Sequence, residues 1–387
     1  MWPDSRILDL FGIELPIIQA PMAGSVLSDM VVAVSQAGGL GSLPCALLSL
    51  EQARRELETI RRKTSRPINA NFFCHQPPRD DPAREMGWRR CLEPYYIELG
   101  LDTNTGVPIS SRAPFDDKMC DLVIEFHPEV VSFHFGLPDK NLLARVRRAG
   151  AKIISSATCV DEAGWLEDQG CDAIVAQGYE AGGHRGMFLT QDVSTQVSTM
   201  ALVPQIVDAV KVPVIAAGGI ADARGIAAAF ALGASAVQIG TAYLLCPEAQ
   251  ISAIYRQALK MAKDNETALT NVFTGRAARG IVNRLVREVG PISDITPDFP
   301  LAAAALAPLR AKSEMAASAD FTPLWSGQAA CLSRELPAAE LTQQLAAEAL
   351  QKLRLLQTMA SADVHSVLEK AAVLAKVGLS VSRSPLA

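Results

Sequence analysis

Residues 212–241 read VPVIAAGGIADARGIAAAFALGASAVQIGT, and the order of their patterns decides the fold. Val212–Gly219 is a continuous apolar run closed by two glycines, as a parallel strand buried on both faces requires. Ala221–Leu232 carries apolar residues at helical spacing and stops just before Gly233, a residue suited to a helix C-terminus. Ala236–Thr241 is apolar again and ends on Gly240 and Thr241. Strand, crossover helix and parallel strand within about thirty residues make a βαβ unit.

The same alternation extends outward from this unit. Further strands are expected at Ile17–Met22, Gly39–Cys45, Ile68–Phe73, Val130–Gly136, Lys152–Thr158 and Ala173–Gly178. Amphipathic stretches separate most of them; in Ser49–Arg62, Leu50, Ala53, Leu57 and Ile60 fall on one helical face. Eight strands with crossover helices predict an α/β fold of the closed (β/α)8 TIM-barrel type rather than an open doubly wound sheet.

Two regions interrupt the rhythm. Cys74–Cys120 is rich in proline and charge (Gln76 to Pro82 reads QPPRDDP) and is expected to wrap the barrel as an insertion of about residues 74–120. Residues 251–320 follow the eighth strand and read as a lid or substrate region above the active face. The periodic stretch from Pro337 to about Met359 reads as the last barrel helix. The expected organisation is a barrel over 1–250, a lid over 251–320, and a C-terminal segment over 321–387 that completes the barrel.

With 387 residues, 49% of them hydrophobic, the chain can bury a large core. Its net charge of −5 and one short basic cluster, Arg61, Arg62, Lys63 and Arg66, argue against a nucleic-acid partner; the cluster follows a helical run and reads as a solvated helix end. None of the eight cysteines is paired at CxxC spacing, so no metal is expected and a reducing cytoplasm is the simplest location. The first ten residues include Asp4, Arg6 and Asp9, unlike a signal peptide, and no run of 18 apolar residues offers a membrane span. The expected partner is a small-molecule substrate, with no nucleic acid and no membrane, and the expected state is a monomer or a homodimer.

In a (β/α)8 barrel the chemistry sits at the strand C-termini and the loops that follow. Those positions hold Pro21-Met22-Ala23-Gly24, Asn71, His134, Gln177 with Glu180–Gly186, Gly218-Gly219, and Gln238–Thr241. Small and hydrogen-bonding residues of this kind let backbone approach a flat, polar-edged cofactor. Gly218-Gly219 and Gly240-Thr241 follow strands seven and eight, the habitual phosphate site of the fold. Each pair alone could simply end a strand; two on adjacent strands favour phosphate.

Gln177–Gly186, QGYEAGGHRG, is the most specific stretch. Four glycines in ten residues imply tight turns, and they hold His184 where it can titrate near neutral pH and exchange protons with a ligand. His134, at the end of strand four, is either a second catalytic histidine or a hydrogen-bonded structural one, and the sequence leaves both readings open. Glu180 reads as a partner that orients the loop. Met22 reads either as a contact to a ring system or as a core methionine.

Taken together, Gln19–Gly24, Asn71–Phe73, His134–Pro138, Gln177–Gly186, Ala216–Ile220 and Gln238–Thr241 resemble the nitronate monooxygenase family, formerly the 2-nitropropane dioxygenases. The likeness covers roughly residues 5–246, with a fainter echo at Leu324–Gln328. It implies tightly bound, non-covalent FMN and no metal. It places flavin contacts at Met22, Asn71, Gln177, Gly182, Gly183, Gly218, Gly219, Gln238, Gly240 and Thr241, and the catalytic histidine at His184. The implied reaction is oxidation of an alkyl nitronate by O2 to a carbonyl compound and nitrite. One departure stands out: where the family carries tyrosines and a lysine after strand eight, Asp298–Lys312 has no tyrosine, nor has any position beyond Tyr255. That loss implies a bulkier or less polar substrate, unless Arg310 or Lys312 takes over the anchoring.

The nearest rival resemblance is the FMN-dependent, NAD(P)H-using enoyl-acyl-carrier-protein reductase, which shares the Glu180–Gly183 and Gly218–Ile220 blocks. Gln19–Gly24 and His134–Pro138 resemble the monooxygenases more closely. A flavin-binding protein without turnover and a phosphate-sugar barrel enzyme without flavin are more distant readings.

Overall fold

The structure is a computed structural model that describes residues 1–103 and 112–380. Eight strands form one parallel sheet: β1 (Ile17–Gln19), β2 (Gly41–Pro44), β3 (Ile68–Phe73), β4 (Val130–His134), β5 (Lys152–Ala157), β6 (Ala173–Gln177), β7 (Val214–Ala217) and β8 (Ala236–Ile239). Their order is β1-β8-β7-β6-β5-β4-β3-β2. The ends meet where Ile18 bridges Leu40: Gln19 N donates to Leu40 O at 3.0 Å and Leu40 N to Ile17 O at 2.9 Å, which closes the barrel. All eight expected strands are present. Several are shorter at their C-terminal ends than the apolar runs, because those last residues leave the ladder to line the mouth of the barrel.

All six residues of β3 are buried, since one face meets the barrel interior and the other the ring of helices. The N-terminal helix Arg6–Phe11 plugs the lower end, placing Ile7 and Phe11 against Val130, Ala173 and Ala236 at the strand starts. Helix Leu50–Lys63 opens with a reciprocal cap: Ser49 Oγ accepts from Gln52 N at 3.2 Å and Gln52 Oε1 from Ser49 N at 2.9 Å. The basic cluster at its end is tied up in ion pairs, Arg61 with Glu129, Lys63 with Asp29, and Arg66 with Glu14. The crossover from β3 to β4 is helix Asp117–Phe126.

Helix Ala338–Ser380 closes the ring against helices Ser28–Gln36 and Ala223–Ala231, and Tyr243 Oη to Thr342 Oγ1 at 2.8 Å fixes its register. It runs past Met359 because residues 360–377 contain neither proline nor glycine to stop it. No helix among the described residues is long and apolar enough to cross a membrane.

The two interruptions fold onto each other instead of lying separately. Helix Pro82–Glu98, from the first, buries Trp88, Leu92, Tyr95 and Tyr96 against Ala302, Ala305, Leu306 and Leu309 of helix Ala302–Met315, from the second. Trp88 Nε1 donates to Ala302 O at 3.2 Å and Tyr96 Oη to Ala305 O at 2.6 Å. The physical reason lies in shape: a row of alanines offers a flat face on which large aromatic side chains bury well, whereas the outer faces of the strands are already covered by helices. A small antiparallel sheet joins this cap to the barrel. Thr267–Thr270 pairs with Ala278–Ile281, and the latter pairs with Gly183–His184.

Candidate active site

The cavity at the C-terminal mouth of the barrel is lined by Met22, Asn71, His134, Gln177, Gly182, Gly183, His184, Gly218, Gly219, Gln238, Gly240 and Thr241. Every site residue expected from the sequence therefore faces one space. It holds about 1390 Å3 of empty volume counting its mouth. It is an open cleft rather than a sealed cavity, with both apolar and hydrogen-bonding residues on its walls, as small-molecule sites have.

One end is made of backbone. Gly218 and Gly219 have φ of +114° and +70°, conformations that glycine adopts without strain. The amides of Gly219, Ile220 and Thr241 take no protein partner among the described residues, and all three residues line the cavity. Unpaired amides on residues that line one cavity are the groups suited to hold an anion. The helix after β7 does not compete for the role, since Asp222 already caps Arg224 N at 2.9 Å and Gly225 N at 3.3 Å. A Cβ on Gly182 would stand 2.5 Å from Gly327 N, so only glycine lets these two backbones meet. Gly327 N in turn donates to Thr241 Oγ1 at 2.9 Å. Glu180 orients the loop through its carboxylate, which accepts from Thr199 N and Thr199 Oγ1, both at 2.8 Å.

The opposite end is made of side chains. His184 is ringed by Phe73, Phe135, Phe299 and Trp325, with centroids 6.1, 6.0, 5.3 and 5.4 Å away. Burial in this cage, followed by the charges of Arg112, His134, Arg276 and His75, holds its pKa well below the ordinary imidazole value. This corrects the expectation that it titrates near neutral pH: desolvation keeps the ring neutral. The loop is also less free than its glycines imply, because His184 is paired with Ala278.

His134 has both ring nitrogens engaged. Nε2 meets His184 O at 3.1 Å and Nδ1 meets Ser156 Oγ at 3.1 Å. A carbonyl can only accept, so Nε2 carries the hydrogen. Burial pushes the His134 pKa down to about 3. Gln177 braces the same loop, donating from Nε2 to His184 O at 2.9 Å and accepting from Gly186 N at 2.7 Å. Asn71 donates from Nδ2 to Ser132 Oγ at 2.9 Å, which fixes its amide on the cavity wall.

The sequence reading missed several residues of this end. Arg112 lines the cavity with its guanidinium 5.7 Å from the Phe299 ring, and burial lowers its pKa only to about 10, so it stays cationic. Arg276 stacks 3.9 Å over Phe135 and donates to Met187 O. Thr274 Oγ1 lies 3.0 Å from His184 Nε2. No carboxylate lines the cavity among the described residues, and no cluster of side chains able to hold a metal ion is found among them. The glycine-rich end could be read from local spacing; Arg112, Thr274, Phe299 and Trp325 lie in irregular segments with no such pattern, apart from the Leu324–Gln328 echo.

Comparison with known proteins fits this geometry. The nitronate monooxygenase family model matches residues 4–348. A nitronate monooxygenase from Pseudomonas aeruginosa is 42% identical over 349 residues, covering 89% of this chain and 98% of its own. The crystal structure of nitroalkane oxidase from Streptomyces ansochromogenes superposes with a TM-score of 0.83 at 37% identity, covering 91% of this chain and 100% of that one. FabK from Thermotoga maritima follows at a TM-score of 0.67 and 26% identity, over 92% of this chain and 98% of its own.

Proposed function

The chain belongs to the nitronate monooxygenase family, and from that premise we propose that it oxidises an alkyl nitronate with O2 to a carbonyl compound and nitrite, with FMN as cofactor. The observation that carries this reading is the polarity of the cavity: an unpaired amide cradle at one end, and at the other a cationic Arg112 beside a neutral histidine, without any carboxylate among the described residues lining it. An anionic nitronate is favoured in such a field.

The residues present fit FMN. The amides of Gly219, Ile220 and Thr241 would hold its one phosphate monoester, and Asn71, Gln177 and Gln238 line the wall that would meet its ring edges, with Met22, Gly182, Gly183, Gly218 and Gly240 close around it. Bound FMN supplies the redox chemistry. The chain's own part is to bind, orient and shield. Phe73 and Trp325 exclude water beside His184, Arg112 holds negative charge, and the neutral His184 accepts a hydrogen bond at the nitrogen turned away from Thr274. His134 acts as a positioning residue, since its ring hydrogen-bonds the backbone of His184.

The substrate is read as bulkier or less polar than a small carboxylated nitronate, because Phe299 stands beside His184 from the region where the family's tyrosines are missing. The purified protein should be yellow and release FMN, identified by mass, on heating. Anaerobic mixing with a nitronate should bleach the flavin, whereas NADPH should not. Release of FAD overturns the cofactor assignment, and prompt bleaching by NADPH favours the reductase alternative. A higher kcat/KM for longer alkyl nitronates than for propionate 3-nitronate is the expected substrate result; the reverse preference overturns the substrate reading and leaves the family standing.

A further inference from the structure

His184 Nε2 and Thr274 Oγ1 lie 3.0 Å apart, and the hydroxyl also reaches Arg276 O at 3.3 Å. A threonine hydroxyl has one hydrogen to give. If it goes to His184 Nε2, the Arg276 carbonyl loses its donor; if it goes to the carbonyl, the hydroxyl oxygen is left to accept from an Nε2–H. Only the second arrangement makes both bonds. We propose that Thr274 is a positioning residue that holds His184 in the Nε2–H tautomer, so that Nδ1 carries the lone pair offered to a ligand.

Both partners are fixed in place. Thr274 is buried, and the turn that carries it is held by Gly275 N donating to Asn271 O at 2.8 Å. Gly275 has φ +89°, and a Cβ there would fall 2.1 Å from Pro297 O, so this turn is clamped against the cap. On the other side, His184 O accepts from His134 Nε2 and Gln177 Nε2, and the strand pairing with Ala278 sets the backbone. Neither ring nor hydroxyl needs to reorganise for the bond to form.

The tautomer decides what the histidine can do. With Nδ1 bare, the neutral ring can accept a hydrogen bond from a ligand; with hydrogen on Nδ1, the same nitrogen could only donate one. The nitrogen that bears the hydrogen is set by the bond made on the far side of the ring. A neutral ring in a cage beside Arg112 and Arg276 keeps this choice over a wide pH range, because protonation on both nitrogens is opposed by burial and by the two cations.

This inference rests on His184 serving the reaction, and the test separates the two. The chain has five histidines, His75, His127, His134, His184 and His365. In flavin-loaded protein labelled with 15N-histidine, the His184 ring, assigned through His184→Asn, should show hydrogen on Nε2 and a bare Nδ1. Thr274→Val should release the preference, populate Nδ1–H and lower kcat/KM about 10-fold or more. Thr274→Ser should restore both the tautomer and most of the activity. Hydrogen on Nδ1 in the unaltered protein overturns the proposal, even if Thr274→Val does not fold; so does an unchanged tautomer in Thr274→Val. An Nε2–H tautomer combined with normal turnover in His184→Asn would instead overturn the catalytic reading and leave the tautomer assignment intact.

Discussion

The cradle after β7 and β8 offers backbone amides from two short loops, whereas the cage around His184 offers side chains brought from positions as far apart as Phe73, Arg112, Thr274 and Trp325. The first requires only that side chains be absent where Gly182, Gly218 and Gly219 bring backbone close, and absence is cheap to encode and easy to read. The second requires that six or more side chains meet, which depends on the cap folding onto the barrel. An anion cradle can therefore be shared across many barrels, while the cage is where one chain is distinguished from another. The largest test of that division is His184→Asn. It removes the nitrogen proposed to meet a ligand and leaves the cradle untouched, so flavin content should stay normal while turnover falls about 10²–10⁴-fold. Loss of flavin together with activity would show that the two ends are not separable.

Acid should also strike the cage first. Burial lowers the pKa of His75 to about 4 and that of His134 to about 3, and holds His184 well below its usual value. In the unfolded chain the same rings take up protons at about pH 6.5. The depressed histidines thus stabilise the fold fully above pH 6.5, and the contribution is lost as pH falls from there towards the folded-state values. Each should subtract up to about 1.4 kcal/mol per pH unit in that window. Urea unfolding at pH 7 and at pH 5.5 measures the slope. Equal stability at the two pH values would mean that the folded rings take up protons as the unfolded ones do, and that their pKa values are not depressed.

Gly182→Ala tests the cradle from its own side. The added methyl would stand 2.5 Å from Gly327 N and 2.6 Å from Ser326 C, both backbone atoms that cannot rotate away. Forced overpacking of this kind costs about 1–3 kcal/mol. The expected result is a lower Tm and a preparation that loses FMN on dialysis, with the His184 tautomer unchanged. Full flavin retention would mean that the Gly327 segment can retreat without disturbing the proposed phosphate site.

The contrast between the two ends also explains what could be read from the sequence. The barrel strands were legible because each is a local apolar run, and the cradle because Gly218-Gly219 and Gly240-Thr241 sit at known places after such runs. His184 was legible through its glycines, but its protonation was not, since the burial that sets it comes from Phe299 and Trp325 far along the chain. The pairing of helix Pro82–Glu98 with helix Ala302–Met315 was hidden for a related reason. Neither helix has a one-sided apolar pattern strong enough to name its partner, and each contains a proline, Pro94 and Pro308.

The smallest expected effect concerns which cation anchors the substrate. Arg310 and Lys312 lie on the cap helix, where the sequence offered them as substitutes for the missing tyrosines. Both are exposed, and Arg310 Nε is bound to Glu314 Oε1 at 2.7 Å in an i,i+4 pair. Exposed pairs of this type are worth about 0.3–0.5 kcal/mol. Arg112, by contrast, lines the cavity itself. Arg310 still acts at a distance, since its charge adds to the burial that lowers the Arg112 pKa. Removing it should leave Arg112 at least as firmly charged. Arg310→Ala should therefore change stability by less than about 0.5 kcal/mol and leave KM for any nitronate within about twofold, whereas Arg112→Ala should raise KM about tenfold or more, as loss of a charge-assisted bond predicts. The opposite ranking, with KM sensitive to Arg310 and indifferent to Arg112, would move the anchor from the cavity wall to the cap helix. It would then make the exposed cap helix, and not the cavity lining, the part that selects the substrate.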